Sequence, residues 1–173
     1  MTPSAWALTL AYWLHMIATV VWIGGLAALS IFVLPAARRS LPAEQFALLL
    51  ADLQRRLDPV GWFCLALLAG TGLFQMSANP NYAGFLAVHN LWAVAILVKH
   101  ILFLVMTGLS AYMTWAVLPG LSRAALQQAG AARSDQPAAA GERLSRQELR
   151  LLRLNLILGL LVLGLTALAR SVT

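Results

Sequence analysis

Four long apolar runs, separated by short polar segments, constrain this chain more than any other feature. They cover about residues 5–34, 59–76, 91–118 and 151–169, and each is close to or above the roughly 20 residues that a helix needs to span a bilayer. Hydrophobic residues make up 61% of the chain and charged residues only 10%, whereas about a quarter of the residues in soluble proteins are charged. The sequence therefore predicts an all-α integral membrane protein, a four-helix up-and-down bundle that forms one transmembrane domain over residues 1–173.

Helix-breaking residues mark the ends of these runs. Pro35 follows the first run and Pro119-Gly120 follows the third. The Asp58-Pro59 pair has the order of an N-cap residue followed by a proline in the first helical position, which predicts that the second spanning helix begins there. The stretch "SANPNYAG", residues 77–84, separates the second run from the third and has the composition of a turn.

The first and third connections have compositions of their own. Residues 42–57 place apolar side chains on one helical face and charges on the other, which predicts an amphipathic helix lying at the membrane interface between spans 1 and 2. Residues 120–147 are rich in alanine, glutamine, glycine and arginine. This composition predicts a mobile cytoplasmic loop with a basic helical end.

Basic residues are distributed unevenly among the connections. The first and third connections carry Arg38, Arg39, Arg55, Arg56, Arg123, Arg133, Arg143, Arg146 and Arg150, and the second connection carries none. The positive-inside rule then places both basic connections in the cytoplasm and both termini outside, in the inner membrane of a bacterium. The arginines form no stripe with interleaved aromatic residues, so the net charge of +6 does not indicate nucleic acid. The expected surroundings are the lipid bilayer, and self-association is left open.

The third run, "LWAVAILVKHILFLVM", contains Lys99 and His100 near its middle. An ionisable group at membrane depth costs about 2.5–3.5 kcal/mol on insertion scales and therefore indicates function. The first run contains His15, which lies at the depth of His100 to within about 2 Å when each helix is counted from its midpoint. Because helices 1 and 3 of such a bundle lie diagonally across the core, the two imidazoles are predicted to face each other as axial ligands of haem iron, in a haem b.

Further polar residues complete this predicted site. Thr107 lies on the face of helix 3 that carries His100, while Thr166 and Arg170 lie on a small-and-polar stripe of helix 4 that also contains Asn155 and Gly159. Such stripes turn toward neighbouring membrane helices. Arg170 and Lys99 are the cations available to the haem propionates, and His89 is a second-tier metal ligand. Two plainer interpretations remain open: the histidines may only satisfy hydrogen bonds in the core, and Lys99 may extend to the interface.

The chain resembles the CopD-like membrane domain of bacterial copper-resistance proteins. The resemblance is carried by "YWLHMIATVVWIGGLAALSIFVLPAARR", "LQRRLDPVGWFCLALLAGTGLFQM", "VKHILFLVMTGLSAYMTWAVLP" and "LRLNLILGLLVLGLTAL". Its markers are an early histidine followed by Trp-x-Gly-Gly, a mid-span lysine, and Arg-x-Asn before a glycine-containing last helix. They fall at His15, Trp22, Gly24, Gly25, Lys99, Arg153 and Asn155. A more distant likeness is to HemJ-type haem-b membrane proteins, through His15 and Lys99.

Three functions are consistent with these features. The first is a membrane-bound b-type haem protein with a redox role, either electron transfer with an unknown partner or oxygen, nitric oxide or superoxide chemistry as a haem-dependent oxidoreductase. The second, implied by the resemblance, is copper transport or homeostasis. Because Cu(I) favours thiolate and thioether ligands, this alternative would combine the same histidines with Met16, Met106 or Met113. The third is a structural subunit of a membrane complex.

Overall fold

The computed structural model describes residues 4–86, 88–120, 123 and 135–172, and for residues 43, 44 and 135–142 it describes the backbone alone. Within these ranges the chain is helical and has no strand, as predicted. The α-helices are α1 (Ala5–Ala27), α2 (Leu34–Ser40), α3 (Ala43–Ser77), α4 (Leu91–Tyr112) and α5 (Asp135–Ser171), with π-helical segments at Ala28–Val33 and Met113–Val117.

Four helical stretches are long and apolar enough to cross a membrane, which confirms the predicted fold class. They are Ala5–Ser40, Gln45–Ser77, Leu91–Gly120 and Arg143–Ser171. Large apolar side chains cover the outside of the bundle; Val20, Leu104 and Trp115, for example, are each about 70% exposed. A surface of this kind is unfavourable in water and is what contact with lipid tails requires.

The four spans pack mainly as two pairs. Helix α1 packs along α3, and α4 packs along α5, while α5 also contacts both α1 and α3. We call the half of the bundle that contains the chain termini and the 78–90 connection the terminal half, and the half that contains the α2–α3 turn the basic half. Each half has its own apolar core. The core of the basic half includes Leu26, Leu34, Phe46, Leu50, Val117, Leu149 and Leu152, and that of the terminal half includes Met76, Trp92, Ala93, Ala95 and Ala169.

Both π-helical segments lie in the basic half, and each ends two residues before a proline, Pro35 or Pro119. Proline cannot donate a backbone hydrogen bond and its ring clashes with the carbonyl four residues earlier, so a regular α-helical turn cannot continue through it without distortion. A widened turn relieves this clash and keeps the helix continuous. Leu26, Ser30 and Leu34 are accordingly all buried at a constant spacing of four, where an α-helix would alternate three and four.

The boundary predicted at Asp58-Pro59 needs correction. Helix α3 runs without interruption from Ala43 to Ser77, with Pro59 in its interior. The predicted amphipathic helix 42–57 is therefore the first part of the second spanning helix. Its apolar side chains Phe46 and Leu50 are buried against α5 and the first span, and this packing outweighs the backbone hydrogen bond that Pro59 loses.

The last helix also differs from the predicted bounds. Helix α5 begins at Asp135, well before the predicted start at residue 151. The predicted loop 120–147 therefore divides into two parts. Residues 135–147 are helical, which agrees with a helical end but not with a loop, and residues 121, 122 and 124–134 lie outside the described residues. The longer α5 places Glu148 beside Gln54, where the Gln54 amide Nε2 donates to the Glu148 carboxyl.

Candidate functional site

The imidazole of His15 lies between α1 and α3 and is hydrogen-bonded to Thr71, with 2.8 Å between His15 Nδ1 and Thr71 Oγ1. The single hydroxyl proton of Thr71 is used elsewhere, because Oγ1 donates to the Leu67 carbonyl. The His15–Thr71 contact therefore requires a proton on Nδ1 of His15. In the neutral ring this leaves a lone pair on Nε2, the state that metal coordination needs.

Two cations and an aromatic ring surround His15. The positive charges of Lys99 on α4 and Arg170 on α5 both act on the His15 ring. The Arg170 guanidinium lies 5.3 Å from the centre of the Tyr12 ring. On the α3 side, a Cβ at Gly72 would lie 3.4 Å from Cε1 of His15, which is van der Waals contact, so the imidazole packs directly against this part of α3. Three of the predicted residues, His15, Lys99 and Arg170, are thus brought together in the terminal half.

His100 has different surroundings. Its Nδ1 lies 2.7 Å from the Ile96 carbonyl, which can only accept, so Nδ1 of His100 carries a proton and donates it. The ring of Phe85 contacts His100 edge-on at 5.1 Å. On α4 the buried residues are Trp92, Ala93, Ala95, Met106 and Ser110. Lys99 shares the side of Trp92, Met106 and Ser110, while His100 lies about 100° around the helix from it. The structure thus places Lys99, rather than His100, among the groups whose charges act on His15.

The remaining predicted residues lie farther from the centre of this cluster. Thr107 and Thr166 are half-buried, and each donates its hydroxyl to its own helix, to the carbonyls of Phe103 and Val162. His89 is exposed in the turn before α4. Met16 is 60% exposed on the lipid-facing side of α1, so its thioether does not face the bundle interior.

A cavity of about 250 Å³ lies in the basic half, and all four spans contribute to its wall. Its lining residues include Trp22 from the first span, Asp58 and Cys64 from α3, Met113 from the second π segment, and Asn155 from α5. The Trp22 ring is seated against Gly61, where a Cβ would lie only 2.7 Å from Cζ3 of the indole. The packing of Trp22 beside the cavity therefore requires a glycine at this position of α3.

Acidic side chains lie in and beside the cavity. Asp58 accepts a hydrogen bond from Thr114 and acts electrostatically on Glu148. Glu148 is only 1% exposed and is held by Gln54, which lines the cavity. Among the described residues that line the cavity there is no lysine or arginine. The interior of the basic half is therefore acidic, although the connections beside it are basic.

Three buried polar atoms in this region have no hydrogen-bond partner: Trp22 Nε1, Glu148 Oε2 and Asn155 Oδ1. The amide nitrogen Nδ2 of Asn155 donates to Ser110 Oγ at 3.0 Å. In this orientation, the amide oxygen Oδ1 has no hydrogen-bond donor among the described residues. Trp22 and Asn155 line the cavity, whereas Glu148 is not among its described lining residues. Two of these polar atoms therefore belong to the cavity wall.

Sequence reasoning did not assign Glu148 and Cys64 to a site. Glu148 lies between the predicted loop 120–147 and the predicted fourth run 151–169, and Cys64 lies within the second apolar run. One signal was available for Glu148, because it precedes Leu152 by four residues and Asn155 by seven. A helix running through this spacing places all three on one face, and all three are buried.

Within the described residues, no group of three histidine, cysteine, aspartate or glutamate side chains is close enough to hold a metal ion. A metal site in this bundle would therefore use fewer of these residues or include other donors, such as thioether sulfur.

The sequence profile of the family described as copper resistance protein D matches residues 51–169. Comparison with curated proteins and with solved structures gives no match. The profile match confirms the CopD-like resemblance and supports a copper-resistance type of membrane protein. It lends no support to the HemJ likeness or to the predicted haem b. The match covers three of the four spans and most of the chain, and the protein belongs to the copper resistance protein D family.

Proposed function

We propose that this protein transports copper ions through its helical bundle in the bacterial inner membrane, with His15 as a copper ligand in the terminal half. The observation that carries the proposal is the hydrogen bond between His15 Nδ1 and Thr71, in a chain that belongs to a copper-resistance family. This bond leaves Nε2 of His15 as a donor, and a hydrogen bond at the other ring nitrogen fixes the orientation of metal-binding imidazoles.

The neighbouring cations set how tightly copper is held. Lys99 and Arg170 act on the His15 ring, and they would repel a copper cation bound to it. A transport site must bind its ion well enough to admit it and weakly enough to release it. We interpret the two cations as the elements that keep binding at His15 weak, so that copper passes on into the bundle.

The orientation of this transport follows from the loop charges. We propose that the basic half faces the cytoplasm and the terminal half the outside, because the basic connections are retained on the cytoplasmic side. Cysteines introduced by Ala83→Cys and Ser40→Cys, at exposed positions at opposite ends of the bundle, test this. A membrane-impermeant maleimide applied to whole cells should label the first and not the second. The opposite pattern would reverse the orientation, and equal labelling of both would contradict a single membrane crossing between residues 40 and 83.

Copper accumulation in cells that produce the full chain tests the function. The His15→Ala variant should reduce copper accumulation to the level of cells without the protein, because it removes the Nε2 donor. His89→Ala is the matched control, since this exposed histidine lies in a turn, and it should accumulate copper like the wild type. Normal accumulation in the His15→Ala variant, at equal protein levels, would overturn the proposal.

Lys99→Met replaces the ammonium by an uncharged side chain of similar length. This change should strengthen copper binding at His15 several-fold, because one of the two repelling charges is lost, and should slow release and therefore transport. Binding by the purified protein and accumulation in cells should thus change in opposite directions. A loss of both would indicate that Lys99 is needed for folding instead.

Absorption spectra of the purified protein distinguish the copper proposal from the haem alternative. A Soret band that is present in the wild type and disappears with His15→Ala or His100→Ala would replace copper transport by a haem-b function. Spectra without that band, together with His15-dependent copper accumulation, would support the proposal. If neither haem nor copper depended on His15, a structural role in a membrane complex would be the better explanation.

A further inference from the structure

The cavity in the basic half is separate from the His15 cluster. Its wall is formed by residues of all four spans, and His15, Thr71, Lys99 and Arg170 are not among the described lining residues. It is bordered by both π-helical segments, through Leu29 of the first and Met113 of the second. Widened turns of this kind occur frequently at functional sites.

Two residues with sulfur atoms of different chemical types line this cavity, from α3 and from the second π segment. Cys64 of α3 and Met113 of the second π segment both line it, and they are 4% and 8% exposed. Cys64 is a free thiol. Thiolate and thioether are the protein ligands that select Cu(I) over harder ions, and Cu(I) accepts sites with few ligands.

The charge of the surroundings favours a cation. Asp58 lines the cavity, and Glu148 is linked to it through Gln54. Asp58 is half-buried and hydrogen-bonded to Thr114, and Glu148 is buried and hydrogen-bonded to Gln54. With acidic groups and no lysine or arginine among its described lining residues, the cavity suits a cation better than an anion.

Unpartnered polar atoms point to the same guest. Asn155 is 1% exposed, lines the cavity, and has an Oδ1 with no hydrogen-bond donor. Trp22 also lines the cavity, and its Nε1 is a donor without an acceptor. A cation with a bound water molecule would satisfy both atoms, because the Asn155 oxygen can contact the cation and the water can accept from the indole N–H.

We infer that this cavity is a second binding site for a soft monovalent metal ion, with Cys64 and Met113 as its sulfur ligands and the Asp58 carboxyl as the nearby balancing charge. This inference rests on the proposed copper transport for the identity of the ion, and it adds an acceptor site in the basic half to the His15 site. An ion released from His15 then moves from nitrogen toward sulfur ligands and from a cationic toward an acidic interior.

Titration of the purified full-length protein in detergent with Ag(I), a redox-inert substitute for Cu(I), tests this site. Met113→Leu keeps the volume of the side chain and the Cys64 thiol but removes the thioether. It should weaken Ag(I) binding at the cavity at least about tenfold, as loss of a metal contact does. Met106→Leu is the matched control, because Met106 lies buried on the same helix, packs toward Gly159 and does not line the cavity. Its Ag(I) affinity should equal that of the wild type.

Protection of Cys64 provides a second measurement. Ag(I) should block alkylation of the Cys64 thiol by N-ethylmaleimide in the wild type and in the Met106→Leu variant, and should block it only at higher concentration in Met113→Leu. Thermal unfolding verifies that all variants are folded. Equal Ag(I) affinity and equal protection in the two methionine variants would overturn the inference and leave a lone buried thiol beside a hydrated cavity.

The two proposals can fail separately. His15→Ala should leave Ag(I) protection of Cys64 unchanged while it abolishes copper accumulation in cells. If accumulation depends on His15 but Met113→Leu has no effect on Ag(I) binding, the second site is wrong and the transport proposal stands. If the cavity binds Ag(I) through Met113 but accumulation is independent of His15, the transport proposal is wrong and the cavity remains a soft-metal site.

Discussion

The two halves of the bundle differ in both charge and ligand chemistry. In the terminal half, Lys99 and Arg170 act on an imidazole, that of His15. In the basic half, Asp58 and Glu148 lie in or beside a cavity that also contains a thiol and a thioether. The charge of the interior therefore does not follow the charge of the adjacent connections. In the basic half, an acidic interior lies next to arginine-rich connections.

This difference shows that the charges of the connections and the charges of the interior have separate roles. The arginines of the connections are exposed, like Arg39 and Arg55, and they determine how the chain is inserted into the membrane. The buried groups determine which solutes the interior can accept, because a charge in a region of low dielectric constant acts strongly on its neighbours. In the proposed transport, a cation would be repelled in the terminal half and attracted in the basic half, and this difference would favour movement toward the basic half.

Glu148 gives the largest expected effect on stability. The Glu148→Leu variant leaves the Gln54 amide buried without its acceptor, which should lower the free energy of unfolding by about 2–3 kcal/mol. Glu148→Gln, which keeps an oxygen acceptor at the same place, should lose clearly less. Thermal unfolding in detergent measures both. If the leucine variant is as stable as the wild type, the carboxyl is not the structural partner of Gln54. Glu148 would then no longer support an acidic interior in the basic half.

Two glycines of α3 allow the two halves to be compared directly. In each half, an aromatic or imidazole ring of the first span packs against one of them. In Gly61→Ala the added methyl group would lie 2.7 Å from the Trp22 ring, and such overpacking should cost about 1–2 kcal/mol. In Gly72→Ala the corresponding distance to His15 is 3.4 Å, so the cost should be smaller. Gly70→Ala, with no atom within 4 Å, is the control and should be neutral or slightly stabilising. An equal loss in all three would mean that the cost arises from the helix backbone, not from the rings.

Arg170 gives the smallest expected effect. Its guanidinium over the Tyr12 ring is an exposed cation–π contact, which contributes about 0.5–1 kcal/mol. Arg170→Ala should lower the unfolding free energy by about that amount and should strengthen copper binding at His15 slightly. Arg153→Ala, another exposed arginine on α5, should leave copper binding unchanged. If both variants changed binding alike, the effect would come from net charge and not from the position of Arg170.

The sequence predicted the number and approximate positions of the spans, because apolar runs of this length have few other solutions. It did not predict that α3 passes through Pro59 without a break, since the local cap-and-proline pattern was opposed by tertiary packing of Phe46 and Leu50. It likewise missed the early start of α5. The hydrogen bond between Gln54 and Glu148 crosses the bundle and joins the first part of α3 to the first part of α5. Neither segment is apolar enough to be recognised from the sequence as part of a spanning helix.

For the candidate site, the sequence placed Lys99 and Arg170 near His15, and the charges of both act on the His15 ring. The pairing of His15 with His100 through a haem stays a prediction. Depth along a helix can be counted from the sequence, whereas rotation about the helix axis depends on packing, and one residue changes that rotation by about 100°. The cavity was not predicted at all, because it is formed by residues of four separate spans and two π-helical turns.

The position of the cavity also has an electrical consequence. It is lined by residues from the basic half of each span, so a cation that reached it from the terminal side would have crossed at least about half of the membrane's electric field. Moving one elementary charge across the whole membrane corresponds to about 2.3 kcal/mol per 100 mV, and half of that is about 1 kcal/mol. In the proposed orientation, a membrane potential that is negative on the cytoplasmic side would thus increase occupancy of the cavity several-fold per 100 mV, and energised cells would load it at lower copper concentrations than de-energised ones.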